Sequence, residues 1–143
     1  MLTYSVLAQN FDFKRTFSKL NYSAFIHTFV LMKASKQGKW NLLVRKLKNE
    51  HAFWSFEDPD PGLINDELLI EKVMIHLDLD DINLLFKLYR KDFIRKVWEE
   101  NLVIQEPYYH GLNRFFAWFY FGIENPDEYL KNQSKKLIIA RLG

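Results

Sequence analysis

At 143 residues the chain is long enough for one domain with a real core and short for two. Apolar residues make up 48% and charged residues 27%, which excludes global disorder, and the lack of cysteine excludes disulfides, thiolate zinc sites and a cysteine nucleophile. The formal net charge is only +2, yet residues 1–50 hold nine basic against two acidic side chains while residues 51–110 hold six against thirteen.

A basic first third can contact nucleic acid or an acidic partner, or it can simply neutralise the acidic middle of its own fold. No segment approaches the run of about 20 apolar residues that spans a membrane. The opening MLTYSVLAQNFDFKR has no basic region ahead of a long apolar one, so it does not read as a secretory signal. The expected location is the cytoplasm.

Over residues 1–22 the pattern stays open: YSVLA suits a strand or a helix, and NFDFKRTF alternates like a short strand. AFIHTFVLMKA then has a helical stripe, Ser35-Lys36-Gln37-Gly38 is expected to break it, and KWNLLVRKLKN resumes helical spacing through Trp40, Leu43 and Leu47. Met32-Lys33-Ala34-Ser35 reads as a translation start, which makes residues 1–31 an extension that differs between relatives. The chain is thus divided into a basic extension or helical subdomain, 1–50, and an aromatic-rich helical domain, 51–143.

The strongest break is Asp58-Pro59-Asp60-Pro61-Gly62, where two prolines fix φ and a glycine permits a turn. Phe53, Trp54 and Phe56 ahead of it are expected to dock on the helices. Asn65 should cap the next helix, with Leu68, Leu69, Val73 and His76 or Leu77 inward. Asp80 or Asp81 should cap INLLFKLY, with Ile82, Leu85, Phe86 and Tyr89 inward. Asp92 should cap FIRKVWEENLV, in which Phe93, Ile94, Val97 and Trp98 meet at helical spacing before Glu106-Pro107. A helix over about 109–121 ends at Gly122, and Asn125-Pro126-Asp127-Glu128 opens a last one with a capping box. The tail KKLIIARLG is apolar enough to pack. The fold class is all-α: a bundle of about five to seven short helices.

LNRFFAWFYFG, 112–122, holds six aromatic residues. Leu112, Phe115, Phe116 and Phe119 share one face, Arg114, Trp118 and Phe121 a second, and Asn113, Ala117 and Tyr120 the third. Rings around most of the cylinder predict a central core helix, part of whose Trp118–Phe121 side waits for another chain. Base stacking is disfavoured, because only Arg114 is interleaved with the rings.

HLDLDD, 76–81, gathers one His and three carboxylates, the donor types of a divalent-cation site in a metal-dependent hydrolase. The same residues are explained more simply by a helix C-terminus at His76 and a cap at Asp80 or Asp81, so no metal ligand or cofactor is assigned. No nucleophile elbow, P-loop or dinucleotide fingerprint occurs, and no catalytic residue is assigned. The pair 81–89 and 92–102 has the outline of a helix-turn-helix, with Arg90, Lys91, Arg95 and Lys96 as nucleic-acid contacts; Asp92, Glu99 and Glu100 nearly cancel that charge.

FWSFEDPD, LLIEKVMIHLDLDDINLLFKLYRKDFIRKVWEENL and LNRFFAWFYFGIENPDEYLK, in that order, resemble a family of small bacterial helical proteins of unknown function. The likeness covers about residues 52–131 and leaves 1–50 outside. It implies a companion of abortive-infection-type nucleotidyltransferase toxins, hence an antitoxin-like partner or small regulator, and brings no catalytic residues with it. The expected function is a non-enzymatic helical module that binds another protein, with Trp98, Arg114, Trp118 and Phe121 as contacts. The alternative is a DNA-binding regulator using helix 92–102 and the basic first third. A homodimer is a further partner that the sequence admits.

Overall fold

The computed structural model describes residues 22–53 and 59–143, with side chains from residue 35 onward. Strand-like YSVLA and NFDFKRTF lie outside the described residues, as do Trp54 and Phe56. Among the described residues every regular element is helical: α1 (Tyr22–Asn49), α2 (Asp66–His76), α3 (Leu79–Leu88), α4 (Lys91–Asn101), α5 (His110–Phe119) and α6 (Pro126–Leu142). Short 3₁₀ turns cover Pro61–Leu63 and Val103–Gln105. The fold is all-α, as the 3.6-residue patterning implies.

The chain divides between Gly38 and Lys39. On the first side the described element is α1 from Tyr22, which runs unbroken through Ser35–Gly38. The expected break is therefore wrong. A helical glycine keeps its backbone donor and costs only about 1 kcal/mol relative to Ala, too little to stop a helix that continues with good formers on both sides.

Residues 39–143 carry the core. Leu43, Val44 and Leu47 of α1 are buried, and Phe53 docks as expected. α2 is capped by Asn65, whose Oδ1 accepts from the Leu68 N–H at 2.8 Å. Its buried residues are Leu69, Ile70, Val73 and Met74, while Leu68 and Leu77 are half-buried and His76 is exposed, so the inward face is rotated from the predicted one. The cap of α3 is Asp78, not Asp80 or Asp81: its Oδ1 accepts from the Asp81 N–H at 3.2 Å. α4 begins after Arg90 with no side-chain cap, and Asp92 sits in its first turn rather than capping it. Ile94, Val97 and Trp98 of α4 are buried as expected, whereas Phe93 is half-buried.

α5 ends where Gly122 adopts φ 64°, and the Ile123 N–H closes the turn on the Ala117 carbonyl at 2.9 Å. α6 opens with the expected box: Asn125 Oδ1 accepts from the Glu128 N–H, and Asn125 Nδ2 donates to Glu128 Oε2 at 3.0 Å. Leu130 and Ser134 of α6 are buried, but Ile138, Ile139 and Leu142 are exposed, so the helical tail packs less fully than its composition suggests. α4 is the hub: it packs against α2, against α6 and against the 3₁₀ turn after it.

Candidate functional site

α5 is built by a division of labour between its two sides. On the inner side Asn113, Phe116 and Ala117 are buried, and Phe121 just beyond the helix is buried against Trp98, ring centroids 4.7 Å apart. Asn113 is a polar residue with no exposure, and every one of its polar atoms is used. Its Oδ1 accepts from Trp98 Nε1 at 2.9 Å, and its Nδ2 donates to the Leu102 carbonyl at 3.2 Å and to Glu106 Oε1 at 2.7 Å. This closed network fixes α5 against α4 and the 3₁₀ turn, since a buried amide left unpaired is costly.

The outer side is where the central-helix expectation fails. Trp118 is 63% and Phe119 55% exposed, and Arg114 also faces solvent. The rings continue one another. Phe119 stacks on Phe115 at 5.2 Å and meets Tyr120 edge-on at 4.9 Å, and Tyr120 stacks on Phe86 of α3 at 4.6 Å. The Tyr120 hydroxyl donates to Asn83 Oδ1 at 2.9 Å, which holds its ring in place. A notch of ≈ 480 Å³ opens beside Trp118, lined by Gly111, Arg114, Phe115, Trp118, Glu124 and Pro126.

The edge of this surface is tied down by charge. His110 Nδ1 lies 2.7 Å from Glu106 Oε2 and its Nε2 lies 3.3 Å from Asp127 Oδ1; Arg114 Nε lies 3.4 Å from that same Asp127 oxygen. Both ring nitrogens of His110 thus face carboxylates, an arrangement satisfied by the imidazolium, which donates from both. The hydrogen bond to Glu106, then its charge and that of Asp127, raise the His110 pKa above its ordinary 6.5, against partial desolvation and the opposing charge of Arg114. A raised folded-state pKa contributes stability that is full below 6.5 and disappears as pH rises through the raised value. Urea denaturation over a pH series should show that decline on the alkaline side of 6.5, and His110→Gln should flatten it.

Of the four expected contacts, Arg114 and Trp118 are brought together on this outer face. Trp98 and Phe121 are not: both are buried, and their predicted place on a docking surface is withdrawn. The nucleic-acid set is divided too. Arg90 and Lys91 are exposed, as is Lys96 one turn on, and Arg90 Nη2 lies 3.7 Å from Asp92 Oδ2. Arg95 is committed inward, with Nε donating to Glu99 Oε1 at 3.0 Å and Nη2 to the Tyr129 hydroxyl at 3.2 Å. The Tyr129 hydroxyl also donates to Glu99 Oε1, so Arg95 belongs to a joint between α4 and α6.

From HLDLDD, His76, Leu77, Asp78 and Asp81 line a second cleft of ≈ 300 Å³ with Lys46, Asn49 and Glu50. Two of the motif's three carboxylates, Asp81 and Asp78, serve the fold. Asp81 is buried and pairs with Lys46 Nζ at 2.7 Å, which holds α1 to α3, and Asp78 caps α3. The Asp81 backbone N–H it receives draws the Asp78 carboxyl below its ordinary range. His76, partly desolvated and beside Lys72, has a lowered pKa. Among the described residues no three His, Asp or Glu side chains gather as a metal site.

No family model, curated protein or solved structure matches the chain. The described helices include none long and apolar enough to cross a membrane.

The residues that sequence reading missed are Glu106, His110 and Asn113. A signal existed: Asn113 shares a helical face with Ala117 and Tyr120, and a core tryptophan needs an acceptor for its N–H.

Proposed function

We propose that this chain is a non-enzymatic helical binding module, antitoxin-like or regulatory, that works through protein–protein interaction at the outward face of α5. The observation that carries this reading is the exposure of Trp118 and Phe119 on a helix whose opposite side is locked by the Asn113 network. Exposed contiguous rings raise the free energy of the chain in water and favour a partner that covers them, and Trp, Tyr and Arg dominate the energetic centres of interfaces. A helix fixed from behind lowers the ordering cost of binding through these rings. The resemblance over residues 52–131 makes a toxin-like nucleotidyltransferase the candidate partner, and the acidic stretch 51–110 offers complementarity to a basic nucleotide-handling cleft.

The test is affinity capture of the tagged full-length chain from its native host, followed by identification and quantification of what is bound. One protein recovered at near-stoichiometric amount, and lost with Trp118→Ala, is the expected result. A chain recovered alone at every salt concentration would sink the reading.

A further inference from the structure

We propose that His110 is a proton-operated clasp between α5 and α6: protonated, it holds Asp127 at the start of α6, and neutral, it releases Asp127 while keeping Glu106. The device is built from two carboxylates held with very different firmness. The Glu106 side chain is only 10% exposed; its Oε1 accepts from Asn113 Nδ2 at 2.7 Å, and its Oε2 lies 2.7 Å from His110 Nδ1. Asp127, in the first turn of α6, is 56% exposed and lies 3.3 Å from His110 Nε2. One ring nitrogen is therefore anchored, through Glu106, to the buried Asn113 network. The other faces a side chain that is free to turn into water.

A neutral imidazole has one N–H and one acceptor lone pair. The shorter contact and the fixed position of Glu106 keep the single proton at Nδ1. Nε2 then turns its lone pair on Asp127 Oδ1, acceptor against acceptor, and the α5–α6 link opens at that contact. Protonation restores a donor at each nitrogen and closes it. The charged groups that face the ring are Glu106 from the turn before α5, Asp127 from α6 and Arg114 from α5 itself. The hydrogen bond to Glu106, then the Glu106 and Asp127 charges, raise the His110 pKa against desolvation and Arg114. The clasp is thus still closed at a pH where an ordinary histidine has lost its proton.

Arg114 carries the change to the notch. Its Nε lies 3.4 Å from the same Asp127 oxygen that the ring holds, so Arg114 becomes the remaining cation on that carboxylate when the ring lets go. Arg114 and Glu124 both line the notch. With His110 protonated, the side chains of His110, Arg114, Asp127 and Glu124 carry two charges of each sign. After proton loss the same four carry one net negative charge. Where the α5 face docks a basic surface, on the reading proposed above, that change strengthens the attraction.

The experiment is a nitrogen–proton NMR titration of the histidine rings of the full-length chain, over a pH series on both sides of 6.5, with His110→Gln assigning the His110 signals. Expected are a His110 midpoint above 6.5 and, on the alkaline side, the Nδ1–H tautomer. The Arg114 Nε–H signal should shift with the same midpoint. Asp127→Asn should lower the midpoint and abolish the Arg114 shift, with circular dichroism showing that the helices are kept. The tautomer is read on the wild type and needs no variant. An Nε2–H tautomer on the alkaline side, an Arg114 signal that ignores the titration, or a midpoint that Asp127→Asn leaves in place overturns the clasp. The titration uses no partner, so its failure leaves the docking reading intact.

Discussion

Trp98→Ala is expected to destabilise residues 39–143 by about 3–5 kcal/mol, the range for removing a fully buried large aromatic side chain. That is a large part of the roughly 5–15 kcal/mol by which a domain is stable, so the variant should lose most of its cooperative transition near body temperature. The reason lies in what the indole joins. It stacks on Phe121 at 4.7 Å and lies parallel to Tyr129 of α6, centroids 6.2 Å apart, while its N–H donates to Asn113 of α5. One side chain therefore connects three helices. Trp98→Phe keeps much of the ring volume and deletes the donor; it should cost about 1–3 kcal/mol, the penalty for stranding the buried Asn113 oxygen. Asn113→Ala strands the Trp98 N–H and takes a donor from Glu106 Oε1, while the Leu102 carbonyl keeps the Gln105 N–H, and it should cost a similar amount. Because the two residues share one bond, Trp98→Phe with Asn113→Ala should cost clearly less than the sum of the single changes. Chemical denaturation of the four proteins measures this, and strict additivity would show that the hydrogen bond contributes nothing.

This network also marks where the sequence stopped being readable. Helix existence and the caps at Asn65 and Asn125 were legible because their chemistry is local. Asn65 reaches an N–H three residues on, and Asn125, Pro126 and Glu128 carry the whole box within four residues. The cap of α3 was misplaced because Asp78, Asp80 and Asp81 can all accept a backbone N–H. The choice among them depends on where packing ends α2, and that is decided by the tertiary fold. The inward face of α2 was misjudged for a related reason: Leu68, Leu69, Ile70, Val73, Met74 and Leu77 offer two overlapping apolar stripes, and neighbours choose between them.

The rings of α5 posed the harder problem. Periodicity put Phe116 with Phe119 and Trp118 with Phe121, but in each pair the structure buries one ring and exposes the other, and a helix apolar all round looks the same whether it is enclosed or left with one side bare. Trp98 stands among charged residues in Lys96-Val97-Trp98-Glu99-Glu100 and Trp118 among aromatic ones in Phe116-Ala117-Trp118-Phe119-Tyr120, yet the first is sealed and the second is 63% exposed. Local polarity points the wrong way for both, because tertiary packing decides which ring is covered. Arg95 shows the converse, since a basic residue on a short helix suggested a phosphate contact while its geometry serves Glu99 and Tyr129. Long-range pairing of this kind leaves no mark at fixed spacing.

The contrast between the two tryptophans gives the last prediction its force. Trp118→Ala should leave unfolding within about 0.5 kcal/mol of the wild type, as expected for an exposed position away from caps and buried bonds. The same change should weaken binding of the partner chain by about 2 kcal/mol or more, close to thirtyfold in Kd, if the indole is an anchor of the interface. Phe119→Ala, at the neighbouring exposed ring, should cost less, because Phe119 is partly covered by Phe115 and Tyr120 in the free chain and has less surface left to bury. Melting curves and binding titrations on the same preparations separate the two quantities. A Trp118→Ala protein that melts early would place the indole in the fold, and one that melts and binds like the wild type would leave the outward face of α5 without a function.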